Sequence, residues 1–235
     1  QNDVPSIRKD HWDWLPKNDQ TIEKIVFEKT STLLNSNIIV ANQNNKETMN
    51  YIKKSIAKNK SNKIYFNEGF SYSEKENNFF YFEDKFGGLK LPNPNIRGQF
   101  QLENISTAIV CLRALNLDIK DEDIKNGIQK INNIARLQMI NSGKLKNLVK
   151  DNLFLISGDH NEDGARVLNE YLNSIKWKKH IIVGMMTNKN HEKYISYFNN
   201  ISSITTVDIP NQPNAMDGKK LKDKFQSIPG VKYSE

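Results

Sequence analysis

The stretch "NLFLISGDHNEDGARVLNEYLNSI", residues 152–175, decides the class of fold. It opens on an apolar run of strand length and closes on a segment patterned as an amphipathic helix. Between them stands a short polar turn carrying Gly158 and His160. A strand–turn–helix unit aims backbone N–H groups from a helix N-terminus, where anions bind. An ordinary polar turn has the same composition, so the neighbouring sequence has to decide.

Working outward, the unit recurs. "HIIVGM" (180–185) is followed by a turn and the helical "HEKYISYF" (191–198). "SITTVDI" (203–209) precedes "DGKKLKDKF" (217–225). Alternating strands and helices predict a parallel, doubly wound sheet. Such sheets bind ligands at the carboxyl ends of their strands, where "SGDHN" (157–161) and "GMMTNKN" (184–190) fall.

Toward the N-terminus, "TIEKIVFEKTSTLL" (21–34) spaces Ile22, Ile25, Val26 and Leu33 as a helix does. "NIIVANQ" reads as a strand, and "KETMNYIKKSIAKN" as a helix with Met49, Ile52 and Ile56 on one side. "NKIYFN" and "NNFFYFED" read as strands. "FGGLKLPNPNIRG", punctuated by Gly and Pro, reads as a loop. "QFQLENISTAIVCLRALNL" predicts an amphipathic helix with Leu102, Ile105, Ala108, Ile109 and Leu112 on its apolar face, and "DEDIKNGIQKI" a second one opened by acidic residues. A domain boundary is expected near residues 133–136, giving domains at 1–134 and 135–235.

The 235 residues suffice for one or two domains with a real core. The formal charge is +7, but the lysines are scattered singly among Asn and Glu. With no Arg-rich stripe beside an aromatic platform, they read as a solvated surface rather than a nucleic-acid footprint. Anionic small molecules suit the same charge. The single cysteine, Cys111, excludes an internal disulfide and reads as a structural thiol. No apolar run is long enough to cross a membrane and no signal peptide is visible, so a cytoplasmic location without membrane partners is expected. The chain opens on Gln, as a piece of something longer would.

Five side chains have a pattern that chemistry can use. Arg136, in "ARLQ" at the proposed hinge, is a bidentate donor for a phosphate, or a surface ion-pair partner. His160 lies in the strand-end turn. His11, in "DH", suits a divalent cation, although no Cys/His cluster points to zinc. Lys29 stands on a helix in "FEKT". Asn104, on the apolar helix, is a ligand group or a satisfied core or cap amide.

Singly these signals are weak; their order is specific. "DHWDWL…TIEKIVFEKT", "IRGQFQLENISTA", "ARLQ", "GDHNEDGAR" and "VGMMTNKN", in this sequence, resemble the folylpolyglutamate synthase/dihydrofolate synthase family of Mur-type ATP-dependent amide ligases. The resemblance runs over nearly the whole chain. It implies the later part of a Mur-ligase-type ATPase domain followed by a doubly wound, Rossmann-like C-terminal glutamate-ligase domain, truncated at its end. It further implies ATP and Mg²⁺ as cofactors, with dihydropteroate or folate, L-glutamate and ATP as small-molecule partners, in an enzyme monomeric when complete. In that reading His11 and a carbamylated Lys29 serve the metal, Asn104 the adenine, Arg136 the phosphates and the Ser157 position the nucleotide. His160 matches the histidine of the family's "DGAHN".

The sequence departs from the pattern at several points. Phe100 replaces a histidine, Ser31 and Pro16 replace glycines, and Ser157 replaces an aspartate, with Asp159 two positions on as a partial stand-in. Neither "SGKLK" nor "DGKKL" is the Gly-rich turn ending in G-K-[ST] that cradles phosphates. The family's phosphate loop lies ahead of the matched region, so this chain alone is expected to be inactive. Two rivals remain at this stage: a peptidoglycan-precursor Mur ligase, and a non-catalytic nucleotide-binding remnant.

Overall fold

The computed structural model describes residues 2–7, 15–33, 36–75, 78–96, 98–132, 134–226 and 232–234. The chain divides into two compact units, Gln1–Asn133 and Ile134–Glu235.

The first unit runs β1 (Asn2–Val4), α1 (Ile22–Ser31), β2 (Ile38–Val40), α2 (Lys46–Ser55), β3 (Lys63–Tyr65), β4 (Phe70–Lys75), β5 (Phe79–Asp84), β6 (Gly87–Pro92), α3 (Gln99–Ala114) and α4 (Asp121–Lys130). Strands β1, β2 and β3 form a parallel sheet with β2 in the middle. Its three residues, Ile38, Ile39 and Val40, are wholly buried, the unbroken apolar run of a strand covered on both faces. Ile38 and Val40 join a core with Ile25 and Val26 of α1 and Ile52 of α2. Ile39, pointing the other way, joins a second core with Phe80, Phe82, Leu89 and Leu91 of the hairpins and Leu102, Ile105 and Ile109 of α3. Helices α1 and α2 start where their caps dictate: Thr21 accepts from Lys24 N (3.2 Å) and Asn45 from Glu47 N (2.8 Å).

Strands β4, β5 and β6 form an antiparallel meander. Of the segment read as a loop from its Gly and Pro, the first half, Gly87–Pro92, is in fact strand β6. Leu89 and Leu91 alternate with exposed neighbours and pack inward opposite Phe82 and Phe80. The glycines serve the hairpin instead, with Gly87 at φ +108°. On α3 the buried side is Gln101, Leu102, Ile105, Ser106, Ile109 and Val110, whereas Ala108 and Leu112, expected inside, are exposed. Cys111 is a half-buried thiol packed on this core.

The second unit contains β7 (Gln138–Met139), α5 (Lys144–Val149), β8 (Leu155–Ile156), α6 (Glu162–Asn173), β9 (His180–Val183), α7 (His191–Ser196), β10 (Ser203–Thr206), α8 (Gly218–Phe225) and β11 (Lys232–Ser234). Strands β9, β10 and β11 are parallel, with β10 central. Helix α8 packs on β10, α7 on α8, and α6 on α7, around buried Tyr194, Ile195, Ile204, Leu221 and Phe225. The expected "NLFLIS" strand shortens to Leu155–Ile156. Among the described residues it pairs antiparallel with β7, not within the parallel sheet. Among the same residues no helix is long and apolar enough to cross a membrane.

Candidate functional site

The turn after β8 is laced to the chain segment before β7. Gly158 N donates to Ala135 O (2.7 Å), Leu137 N to Ser157 Oγ (3.5 Å) and Ala135 N to Gln138 Oε1 (3.0 Å). Ala135 and Leu137 take left-handed backbone conformations, at φ 55° and 50°, uncommon for residues with a Cβ. Arg136 sits between these two reversals and its side chain is 53% exposed. Its Nη1 lies 3.9 Å from Asp159 Oδ1, and the Asp159 side chain is only 10% exposed. The Ser157 hydroxyl donates to the other Asp159 oxygen. His160 is exposed, with Nδ1 2.9 Å from Gly158 O; a carbonyl oxygen only accepts, so that contact assigns a proton to Nδ1.

Asp159 fits because residue 164 is glycine. A Cβ at Gly164 would meet Asp159 Cβ and Oδ1 at 2.8 Å each. Asn161 caps α6, accepting from Gly164 N (2.8 Å). The Tyr194 phenol of α7 is pushed well up, first by burial and then by the Asp159 charge.

A second strand-end turn joins this one. Asn190 Nδ2, at the start of α7, donates to Glu162 Oε1 (3.2 Å), and Asn190 caps α7 through Lys193 N (3.3 Å). Thr187 N and Oγ1 both bond Asn214 O, at 2.9 Å and 3.0 Å. His191 is buried and donates from Nε2 to Met186 O (2.9 Å). Burial, the larger influence, pushes its imidazolium below the ordinary range. The structure thus brings Arg136, Ser157 and His160 together, from two separate stretches of sequence.

The remaining candidates belong to the first unit. Lys29 is half-buried in the last turn of α1, where a cation complements the helix dipole. Asn104 is exposed on α3, so it is no core amide. Its neighbour Glu103 accepts from Asn42 Nδ2, just beyond β2 (3.2 Å). The Tyr72 phenol is pushed up to about 12, first by burial and then by Glu103. Gly98 opens α3 at φ +104°, a backbone conformation that favours glycine, and a Cβ there would also press on the Phe100 ring. His11 lies outside the described residues. Among those described, no three His, Cys, Asp or Glu side chains group as a cation requires.

The ion pair at 3.9 Å is loose and half in solvent, a geometry worth about 0–1 kcal/mol. A hydrogen bond from a guanidinium to an anion is worth about 1.5–3 kcal/mol. Arg136 is therefore free to turn from Asp159 to an arriving anion. Sequence reading registered Asp159 only as a stand-in for the aspartate absent at 157. Its grip on Arg136 depends on the reversals at 135 and 137 and on the space at Gly164, of which only the glycine leaves a mark in the letters.

No family model matches the chain, and no curated protein matches it by sequence. Solved structures match it by fold. Escherichia coli FolC in complex with DHPP and ADP superposes with TM-score 0.79 at 22% identity, over 98% of this chain and 51% of that one. Mycobacterium tuberculosis folylpolyglutamate synthase complexed with ADP gives TM-score 0.78 at 15% identity, over 99% and 53%. The bifunctional folylpolyglutamate synthase/dihydrofolate synthase of Yersinia pestis, complexed with AMPPNP and a Mn ion, gives 0.77 at 20% identity, over 98% and 52%. The chain spans about half the length of these proteins. Its mixed α/β architecture is the Mur-ligase-type fold of the folylpolyglutamate synthases.

Proposed function

We propose that the chain is the later half of an ATP-dependent ligase that joins L-glutamate to the carboxylate of dihydropteroate or folate. The observation that carries this reading is the meeting of Arg136, Ser157 and His160 at one strand-end turn, inside a fold shared with nucleotide-complexed ligases. Carboxyl ends of strands are where such folds place ligands. ATP phosphorylates the substrate carboxylate, and the glutamate amine displaces phosphate from the acyl phosphate to form the amide. Much of the acceleration comes from positioning the reactants.

Arg136 supplies a mobile guanidinium to the phosphates, and Ser157 a neutral hydroxyl beside the nucleotide. His160 offers Nε2 to the reacting end of the substrate. Asn104 serves the adenine. Mg²⁺ offsets phosphate charge. When bound, it would be held by the phosphates, by His11 and by carbamylated Lys29, whose oxygens would suit a hard cation. The phosphate loop comes from sequence outside these residues.

The test is an assay of residues 1–235 for ATP- and glutamate-dependent extension of dihydropteroate and folate, alone and joined to a segment carrying a phosphate loop. The joined protein should turn over and the chain alone should not. In the joined protein Arg136→Ala should lose roughly tenfold to a hundredfold in rate, and Lys29→Ala should fail at limiting Mg²⁺. Turnover only with UDP-muramyl substrates would make the chain a peptidoglycan-precursor ligase. Nucleotide binding with no extension of any substrate would make it a remnant, the alternative that Ser157 and the absent G-K-[ST] turn favour.

A further inference from the structure

We propose that Asp159 is the positioning residue for Arg136: a carboxylate carried two places beyond Ser157, tucked over Gly164, that aims the guanidinium toward the strand-end turn. The ligase reading enters only in making a phosphate the group that Arg136 meets.

Five observations converge on this carboxylate. It is nearly buried while its partner Arg136 is half exposed, so the anchor is fixed and the guanidinium swings. Each oxygen has a separate duty. Oδ1 faces Arg136 at 3.9 Å and Oδ2 accepts a hydrogen bond from the Ser157 hydroxyl. Ser157 Oγ also accepts from Leu137 N, so the same hydroxyl ties the carboxylate to the backbone on one side of Arg136. On the other side Ala135 O accepts from Gly158 N. The absent Cβ at Gly164 provides the room, since any larger residue would collide with Asp159 Cβ and Oδ1 at 2.8 Å. The charge of Asp159 also bears on the buried Tyr194 phenol of α7, second to burial in holding it neutral.

The arrangement makes Ser157 a support for Asp159. A serine at 157 cannot present an anion, but its hydroxyl holds one in place. The pair Ser157–Asp159 does with two residues what a single aspartate at 157 would do with one, and shifts the charge toward the arginine.

The test uses isotope-labelled residues 1–235. Arg136 is half exposed, so Arg136→Ala should fold. It should move the Asp159 carboxyl carbon and Tyr194 ring resonances while leaving Trp177, exposed elsewhere in the unit, in place. In Asp159→Asn the Arg136 Nη protons should exchange with water several-fold faster, and Asp159→Glu should restore part of the protection. Gly164→Ala should speed the same exchange without removing any charge, and reads the coupling should Asp159→Asn not fold. ATP titration of the joined protein, which carries the phosphate loop, is a separate arm. Asp159→Asn and Arg136→Ala should each weaken binding several-fold, and the double variant no further than Arg136→Ala alone. Unmoved Asp159 and Tyr194 resonances in Arg136→Ala, or additive losses in the double variant, would overturn the positioning role. A joined protein, carrying the phosphate-loop segment, that binds no ATP while the resonances still report the coupling would defeat the ligase reading and leave the positioning intact.

Discussion

At the scale of single residues, the two left-handed positions beside Arg136 have opposite tolerances. An L-residue in this conformation costs about 1–2 kcal/mol, and a glycine's extra freedom in the unfolded chain costs about 0.5–1 kcal/mol. Ala135 has a small side chain and little packing to lose, so Ala135→Gly should leave stability unchanged or raise it by up to about 1 kcal/mol. Leu137 is 2% exposed. Leu137→Gly should therefore cost several kcal/mol, because the buried side chain outweighs the relieved backbone. Denaturant midpoints of the two variants check this, and equal effects would refute it. His191 sets a pH dependence. Its folded-state pKa lies below the ordinary value of about 6.5, so the unfolded chain takes up the proton first. The stability that follows from this is fully present above about pH 6.5 and is lost as the pH falls through that value toward the lower folded one. His191→Gln, which keeps a donor for Met186 O, should flatten that part of the profile. A wild-type minus variant difference constant between pH 7.5 and 5.5 would remove His191 from the account.

At the scale of elements, the β5–β6 hairpin is bolted to α3 by one arginine. Arg113 pairs with Asp84 Oδ1 at 3.1 Å, bonds Gly87 O (3.1 Å) and Phe86 O (3.2 Å), and lies over the Phe86 ring. The Asp84 side chain is 1% exposed and its Oδ2 has no partner among the described residues. Removing the cation strands a buried carboxylate, so Arg113→Ala should cost about 3–5 kcal/mol. Asp84→Asn should recover part of that in the double variant, which a thermodynamic cycle measures. This hairpin also shows where sequence reading stops. Helices with a period of apolar residues were legible, three of them also from an acidic or Asx start: α2, α4 and α6, together with the glycine-opened α3, fall close to their expected places. Strand β6 was not, because its Gly-Gly start outweighed the Leu-Lys-Leu alternation behind it. Nor was the short β8: periodicity marks an apolar run as strand-like without saying which neighbour completes its ladder. In the candidate site the turn and its arginine were legible from the order of motifs, whereas the pairing of Arg136 with Asp159 was not, since it depends on backbone reversals that no residue type announces.

At the scale of the whole molecule, each unit has its own core, and in the first unit two cores share a wall. Strand β2 gives Ile38 and Val40 to one and Ile39 to the other, and its flanking amides are bonded on both sides, Ile38 N to Asn62 O and Ala41 N to Val4 O. The consequence concerns amide hydrogen exchange. An amide on a shared wall is released only when both sides open, so residues 38–41 belong to the slowest-exchanging set of their unit and report its global opening. The α1–α2 side and the meander–α3 side should then behave as one cooperative element. Ile39→Ala, worth about 2–5 kcal/mol, should lower protection on the two sides by the same amount, although the deleted atoms face only one of them. If protection falls on the meander side alone, β2 partitions the unit into two independently opening halves.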